Sequence, residues 1–214
     1  MNNQEAIDKI AEVIKQRFSE NSSGHDWWHI KRVYNIANKI GIQENANLEI
    51  IKIGALLHDV ADYKFGAEET GLIFAENLMN NLCVQQKIIS KVKYIIKNIG
   101  FKGGNKPKMK ILEGKCVQDA DRLDAMGAIG IARCFAFGGW KGNPIYDPNV
   151  PIKINQTEEQ YKQAKSPQIN HFYEKLLFLK DKMNTQTGKI IAEKRHKVMK
   201  QYLKIFFEEW RGKS

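Results

Sequence analysis

The sequence predicts an all-α fold. Apolar residues recur at spacings of three and four along nearly the whole chain, and strand-like alternation is scarce. Glycine and proline gather in two interruptions, residues 100–107 and 138–167, which leave long uninterrupted stretches for helices.

Each helix has its own stripe. Ile7, Ile10, Ala11, Ile14 and Phe18 share one face of a first helix, which the polar run 19–24 ends. Ile30, Val33, Ile36, Ala37 and Ile40 make a second stripe, expected to stop at Gly41. Residues 48–58 are nearly apolar towards their end (Ile53, Ala55, Leu56, Leu57), the profile of a buried central helix. Residues 67–79, 84–96, 112–126 and 128–137 read as four more, and 170–183 and 189–210 close the chain. The Gly/Lys-rich stretch GFKGGNKP at 100–107 lacks the order of a phosphate-cradling P-loop and reads as a surface turn. The stretch 138–167 is long enough to be a flap over a site or a plain connector between two helices.

Composition narrows the class. The 214 residues suit one large domain or two small ones. With 43% hydrophobic and 27% charged residues, the chain is globular rather than disordered. No apolar run approaches the roughly 18 residues of a membrane span. The polar start, Met1 to Ala6, has no signal-peptide pattern, and Cys83, Cys116 and Cys134 are odd in number and widely spaced. Together these predict a cytoplasmic protein without disulfides, its three thiols buried as small hydrophobes. The net charge of +10 permits an anionic ligand. It does not argue for a duplex reader, because only six of the 34 basic residues are arginine and no reading motif is present.

The chemistry lies in four pieces: His25-Asp26-Trp27-Trp28-His29, then His58-Asp59, then Asp62, then Asp119-Ala120-Asp121-Arg122. Imidazole with carboxylate suits Mn²⁺, Fe²⁺ or Zn²⁺, and carboxylate-rich sets admit Mg²⁺. His58 and Asp59 follow an apolar helix, where a buried ionisable pair is costly unless it is paired or holds a metal. On residue chemistry alone, metal binding and buried polar pairing stand nearly level. Trp27 and Trp28 are expected to pack the core, with a base pocket as the alternative for one of them.

His29, His58-Asp59 and Asp121, in this order and on helices, resemble the metal-binding H…HD…D signature of the HD-domain phosphohydrolases. The strings GHDWWHIKRV, LLHDVADYKFG, QDADRLDAMGAIGIARCFAFGG, NHFYEKL and TGKIIAEKRHKVM resemble the bacterial YpgQ/YedJ-like subgroup, from about Gly24 to the last helix. The resemblance implies a single helical HD-type domain over residues 1–214, with a core of about 20–130 and a C-terminal helical extension of about 165–211. It implies one divalent metal ion, such as manganese, magnesium or iron, held by His29, His58, Asp59 and Asp121. Asp119 competes with Asp121, which is preferred because it precedes the Arg of the D-R-L string.

The implied reaction is phosphohydrolysis of a small phosphorylated substrate. The subgroup narrows it to nucleotide pyrophosphohydrolysis, nucleoside triphosphate giving monophosphate and pyrophosphate. Asp62, one helical turn after His58, resembles the acidic position that some HD hydrolases use to orient or deprotonate water. Its plain alternative is an exposed carboxylate or helix cap. His25, Arg32, Lys64, Arg122 and Lys141 are the candidate substrate contacts, with a solvated or ion-paired role open for each cation. His171 and His196 read as ordinary packing or surface histidines. The rival readings are a phosphomonoesterase or phosphodiesterase on another metabolite, and a metal-stabilised ligand sensor without turnover.

Overall fold

The structure, a computed structural model, describes residues 2–19, 26–61, 68–100, 108–154 and 166–213. Among them there are nine α-helices, one 3-10 segment and no strand, as the all-α reading expects. The helices are α1 (Asn3–Arg17), α2 (Trp27–Gln43), α3 (Leu48–Leu57), α4 (Glu68–Asn81), α5 (Gln86–Asn98), α6 (Leu112–Asp124), α7 (Gly127–Lys141), α8 (Gln168–Glu174) and α9 (Gln186–Trp210). The 3-10 segment, Leu176–Lys182, lies between α8 and α9. No described helix is long and apolar enough to cross a membrane. The chain divides into two compact units, Met1–Ala120 and Asp121–Ser214.

The first unit is built around α3. Seven of its ten residues are buried (Ile50, Ile51 and Ile53 to Leu57). It packs against α1, α2 and α5, while α4 lies on α1 and α5. Ile10 and Ile14 of α1, Ile30, Val33, Ala37 and Ile40 of α2, and Val92 and Ile95 of α5 are all fully enclosed. These are the positions the helical period selects. In the second unit α7 and the 3-10 segment pack on α9, and Phe172 of α8 stacks with Tyr202 of α9 at 5.8 Å between ring centroids.

Several boundaries differ from the sequence expectation. Gly41 does not end α2, which runs on to Gln43. The left-handed terminating residue is Asn45 (φ 53°), after which Ala46 N–H bonds the Gly41 carbonyl at 2.9 Å. Gly41 instead gives α3 room, since a Cβ there would lie 3.1 Å from Leu48 Cδ2 and overlap Ile51 Cδ1. In the same way α7 passes through Gly138 and Gly139 and ends at left-handed Gly142 (φ 69°). The expected helix over 170–183 breaks at Lys175, and the 3-10 winding that follows sets Leu176 and Leu179 on one edge, both buried.

Two burial expectations fail. Trp28 is 64% exposed, because it lies on the side of α2 opposite the stripe of Ile30, Val33, Ala37 and Ile40. Cys83 is exposed, because it occupies the left-handed position (φ 56°) that ends α4. The flap stretch also divides. Its first residues are helical, Pro144 and Ile145 carbonyls accept the N–H groups of Gln168 and Ile169 at 3.0 Å each, and residues 155–165 lie outside the described residues.

Candidate metal centre

His29 is placed by its own helix start. The Asp26 side chain caps α2 by accepting the His29 backbone N–H at 2.8 Å, which sets the imidazole at a fixed point of the first turn. His58 stands at the C-terminal end of α3, with Asp59 next to it. α2 and α3 form an antiparallel hairpin across the short connection 44–47, so the start of one helix and the end of the other arrive together. His29 and His58, 29 positions apart, meet with ring centroids 5.2 Å apart and planes at 67°.

The donor atoms converge. Nε2 of His58 lies 3.3 Å from Nε2 of His29 and 3.3 Å from Oδ1 of Asp59, and His29 Nε2 lies 3.3 Å from Oδ2 of Asp59. One ligand atom from each residue falls within 4.8 Å of the other two. All three residues are buried, at 0, 2 and 6% exposure for His29, His58 and Asp59. Nδ1 of His58 is 2.7 Å from the Ala55 carbonyl, which has no proton to give, so Nδ1 carries the hydrogen and donates. That leaves the Nε2 lone pair directed into the cluster, as a metal ligand requires. Two imidazole nitrogens and a carboxylate sharing one dry point fit a divalent cation.

The other expected site residues fall in different places. Asp121 is half-buried and opens the second unit, whereas Asp119, two residues earlier on α6, is fully buried in the first. Arg32 is half-buried on α2, one turn after His29. In the second unit Arg122 donates from Nη1 to the Lys182 carbonyl. Lys141, the last residue of α7, is exposed with its Nζ 5.1 Å from the centre of the Trp140 ring. His25, Asp62 and Lys64 lie outside the described residues.

Two supporting residues carry a role that the sequence reading did not assign. Asp26 is the cap that aims His29, and the signal for it is an Asp three residues before the histidine at a helix start. Gly71 of α4 lies against the backbone that follows the doublet. A Cβ there would overlap the Val60 carbonyl and lie 2.6 Å from Ala61 Cα. No local pattern marks that contact.

Comparison with known proteins agrees with the geometry. Residues 27–126 match the HD domain family, a span that opens just before His29 and closes after Asp121. Over 202 residues the chain is 38% identical to YpgQ of Bacillus subtilis, across 92% of this chain and 90% of that one. The chain belongs to the HD-domain family. A solved HD-superfamily hydrolase from Bacillus thuringiensis is 43% identical, with a TM-score of 0.79 over 98% of this chain and 99% of that one. A solved Lactobacillus plantarum protein has a TM-score of 0.88 at 36% identity, over 99% and 100% of the two chains. The structure of YpgQ in complex with ADP has a TM-score of 0.78 at 36% identity, over 97% of this chain and 100% of that one. As an HD-domain protein, the chain is an enzyme of the metal-dependent phosphohydrolase class.

Proposed function

We propose that this HD-domain enzyme is a nucleotide pyrophosphohydrolase, cleaving a nucleoside triphosphate to monophosphate and pyrophosphate. The observation that carries the reading is the buried convergence of His29, His58 and Asp59. The ADP bound in the YpgQ structure supports a nucleotide substrate. Asp121 is our fourth ligand, on the order of the motif. A divalent cation held there, with manganese as our first choice, supplies polarisation of a phosphoryl oxygen and a water of lowered pKa.

The remaining roles belong to the chain's own side chains. Asp62 orients the attacking water and takes its proton. His25, Arg32 and Lys64 bind phosphate oxygens. Arg122 joins them as a further phosphate contact, beside the bond from its Nη1 to the Lys182 carbonyl. Lys141 adds a flexible point charge. Arg32 and Arg122 are half-buried and Lys141 is exposed, whereas the ligands His29, His58 and Asp59 are buried, so charge stands outside and coordination inside. In this reading the whole chain acts as one HD-type domain, in the cytoplasm.

The test is a panel of nucleoside triphosphates and phosphorylated metabolites with Mn²⁺, scored separately for orthophosphate and pyrophosphate. Pyrophosphate with monophosphate, and no diphosphate, is the expected result. Orthophosphate as the first product replaces this reading with a phosphomonoesterase one, and no turnover with any divalent metal replaces it with a sensor.

A further inference from the structure

The second unit contains a cavity of about 300 Å³ that the phosphohydrolase reading does not use. Tyr146, Tyr173 and Phe207 wall it with rings, Ile152 and Pro151 complete the apolar side, and Asp147 contributes a carboxylate. The lining contains no lysine, arginine or histidine, although the chain as a whole carries a net charge of +10. Tyr146 and Phe207 hold each other edge-to-face, at 5.4 Å between centroids with planes 84° apart, and Tyr146 also packs edge-to-face with Trp210 at 4.9 Å. The frame is fixed by hydrogen bonds. Asn170, buried in the floor, donates to the Val150 carbonyl at 2.9 Å, and Asp147 Oδ1 accepts the Asn149 N–H at 2.8 Å. That bond engages Oδ1 alone, and a carboxylate has two acceptor oxygens.

Aromatic rings beside a carboxylate are complementary to one kind of ligand. The ring faces carry negative potential, and a carboxylate adds a full charge of the same sign. A quaternary ammonium group is attracted by both and loses little hydration on entry, whereas an anionic phosphate is repelled by both. The Arg211 guanidinium already stands 6.0 Å from the Phe207 centroid, so the attraction for a ligand cation falls to Tyr173 and Asp147. Tyr173 stays a neutral phenol because burial, reinforced by Tyr146, raises its pKa. Its face remains the attractive element.

We propose that this cavity is a binding site for a small organic cation of the quaternary ammonium type, separate from the metal centre. Choline is the probe, and 3,3-dimethylbutan-1-ol, of the same shape without the charge, is the control. Ligand-observed NMR titrations use the intact chain. Choline is expected to bind saturably and about tenfold more tightly than the neutral isostere, the scale of a desolvated cation–π contact. Asp147→Asn is expected to weaken choline at least fivefold and leave the isostere unchanged, and Tyr173→Leu to weaken both. Choline binding is expected to persist in His58→Ala, so failure of the metal centre and failure of this site are separable. Equal affinity for choline and the isostere, no saturable binding, or displacement of choline by adenosine at equal concentration overturns the proposal. The comparison on the unsubstituted chain decides the matter even if a variant fails to fold.

Discussion

Nε2 of His29 and Nε2 of His58 stand 3.3 Å apart in the buried interior of the first unit, and Asp59 reaches both through its two oxygens. The hydrogen on His58 Nδ1 is held by the Ala55 carbonyl, so the close approach presents a nitrogen lone pair to the cluster. A pair of rings in this position is expensive in an apolar interior unless a cation or a proton is shared there.

Removing a ligand therefore removes the metal. His29→Ala, His58→Ala and Asp59→Ala are each expected to lose most of the bound metal by elemental analysis. Activity should fall at least about a hundredfold, because changes one step outside a metal's ligands already cost about 10–100-fold. Asp121→Asn is expected to do the same and Asp119→Asn to retain metal. The opposite pattern transfers the fourth ligand to Asp119.

Asp26 acts through His29. Asp26→Ala removes the bond to the His29 N–H, and the expected loss is about 1 kcal/mol of stability and about tenfold in metal affinity. Asp26→Asn keeps an acceptor and should restore both. Metal titration and denaturant unfolding of the two variants side by side check this, and equal metal affinities in both refute the positioning role.

Gly71 and Gly139 make a matched pair. A Cβ at Gly71 meets the backbone of Val60 and Ala61, which cannot rotate away, so Gly71→Ala should destabilise by about 1–3 kcal/mol and lower metal retention. A Cβ at Gly139, helical and with nothing within 4 Å, meets open space, so Gly139→Ala should be neutral or stabilising by about 0.5 kcal/mol. Midpoints of urea unfolding give both signs.

Thiol chemistry should distinguish the three cysteines. Burial pushes the Cys116 thiol up to about 12, with Asp119, Glu44 and Glu113 adding to it, and burial also raises Cys134 to about 12. The thiolate is the reactive form, and a pKa of about 12 leaves about one part in 10⁴ of it at pH 8. The fraction rises tenfold with each pH unit below that pKa. Exposed Cys83 is expected to take one equivalent of iodoacetamide rapidly in the folded chain, with three taken on unfolding. Cys83→Gly should abolish the rapid phase and stabilise by about 1 kcal/mol, since a non-glycine residue at left-handed φ carries that cost.

The helices were legible because their information is local. A stripe such as Ile30, Val33, Ala37 and Ile40 carries its own period, and the apolar run before His58 announces a buried helix whatever it packs against. The same stripe excluded Trp28 from the core, although its size alone suggested burial. The order His29, His58-Asp59, Asp121 named the ligand types and pointed to the family, but sequence spacing could not say that they meet.

Convergence belongs to the tertiary structure. His29 and His58 come within bonding distance because α2 and α3 fold back on each other, a non-local packing that helical periodicity does not encode. Gly41 and Gly138 look like helix ends in sequence, yet both lie inside helices, at points where another side chain comes too close for a Cβ. The contact of Gly71 with Val60 and the exposure of Cys83 were likewise decided in three dimensions. A glycine's role depends on which atom faces it, and a cysteine's burial on the backbone angle at the end of its helix.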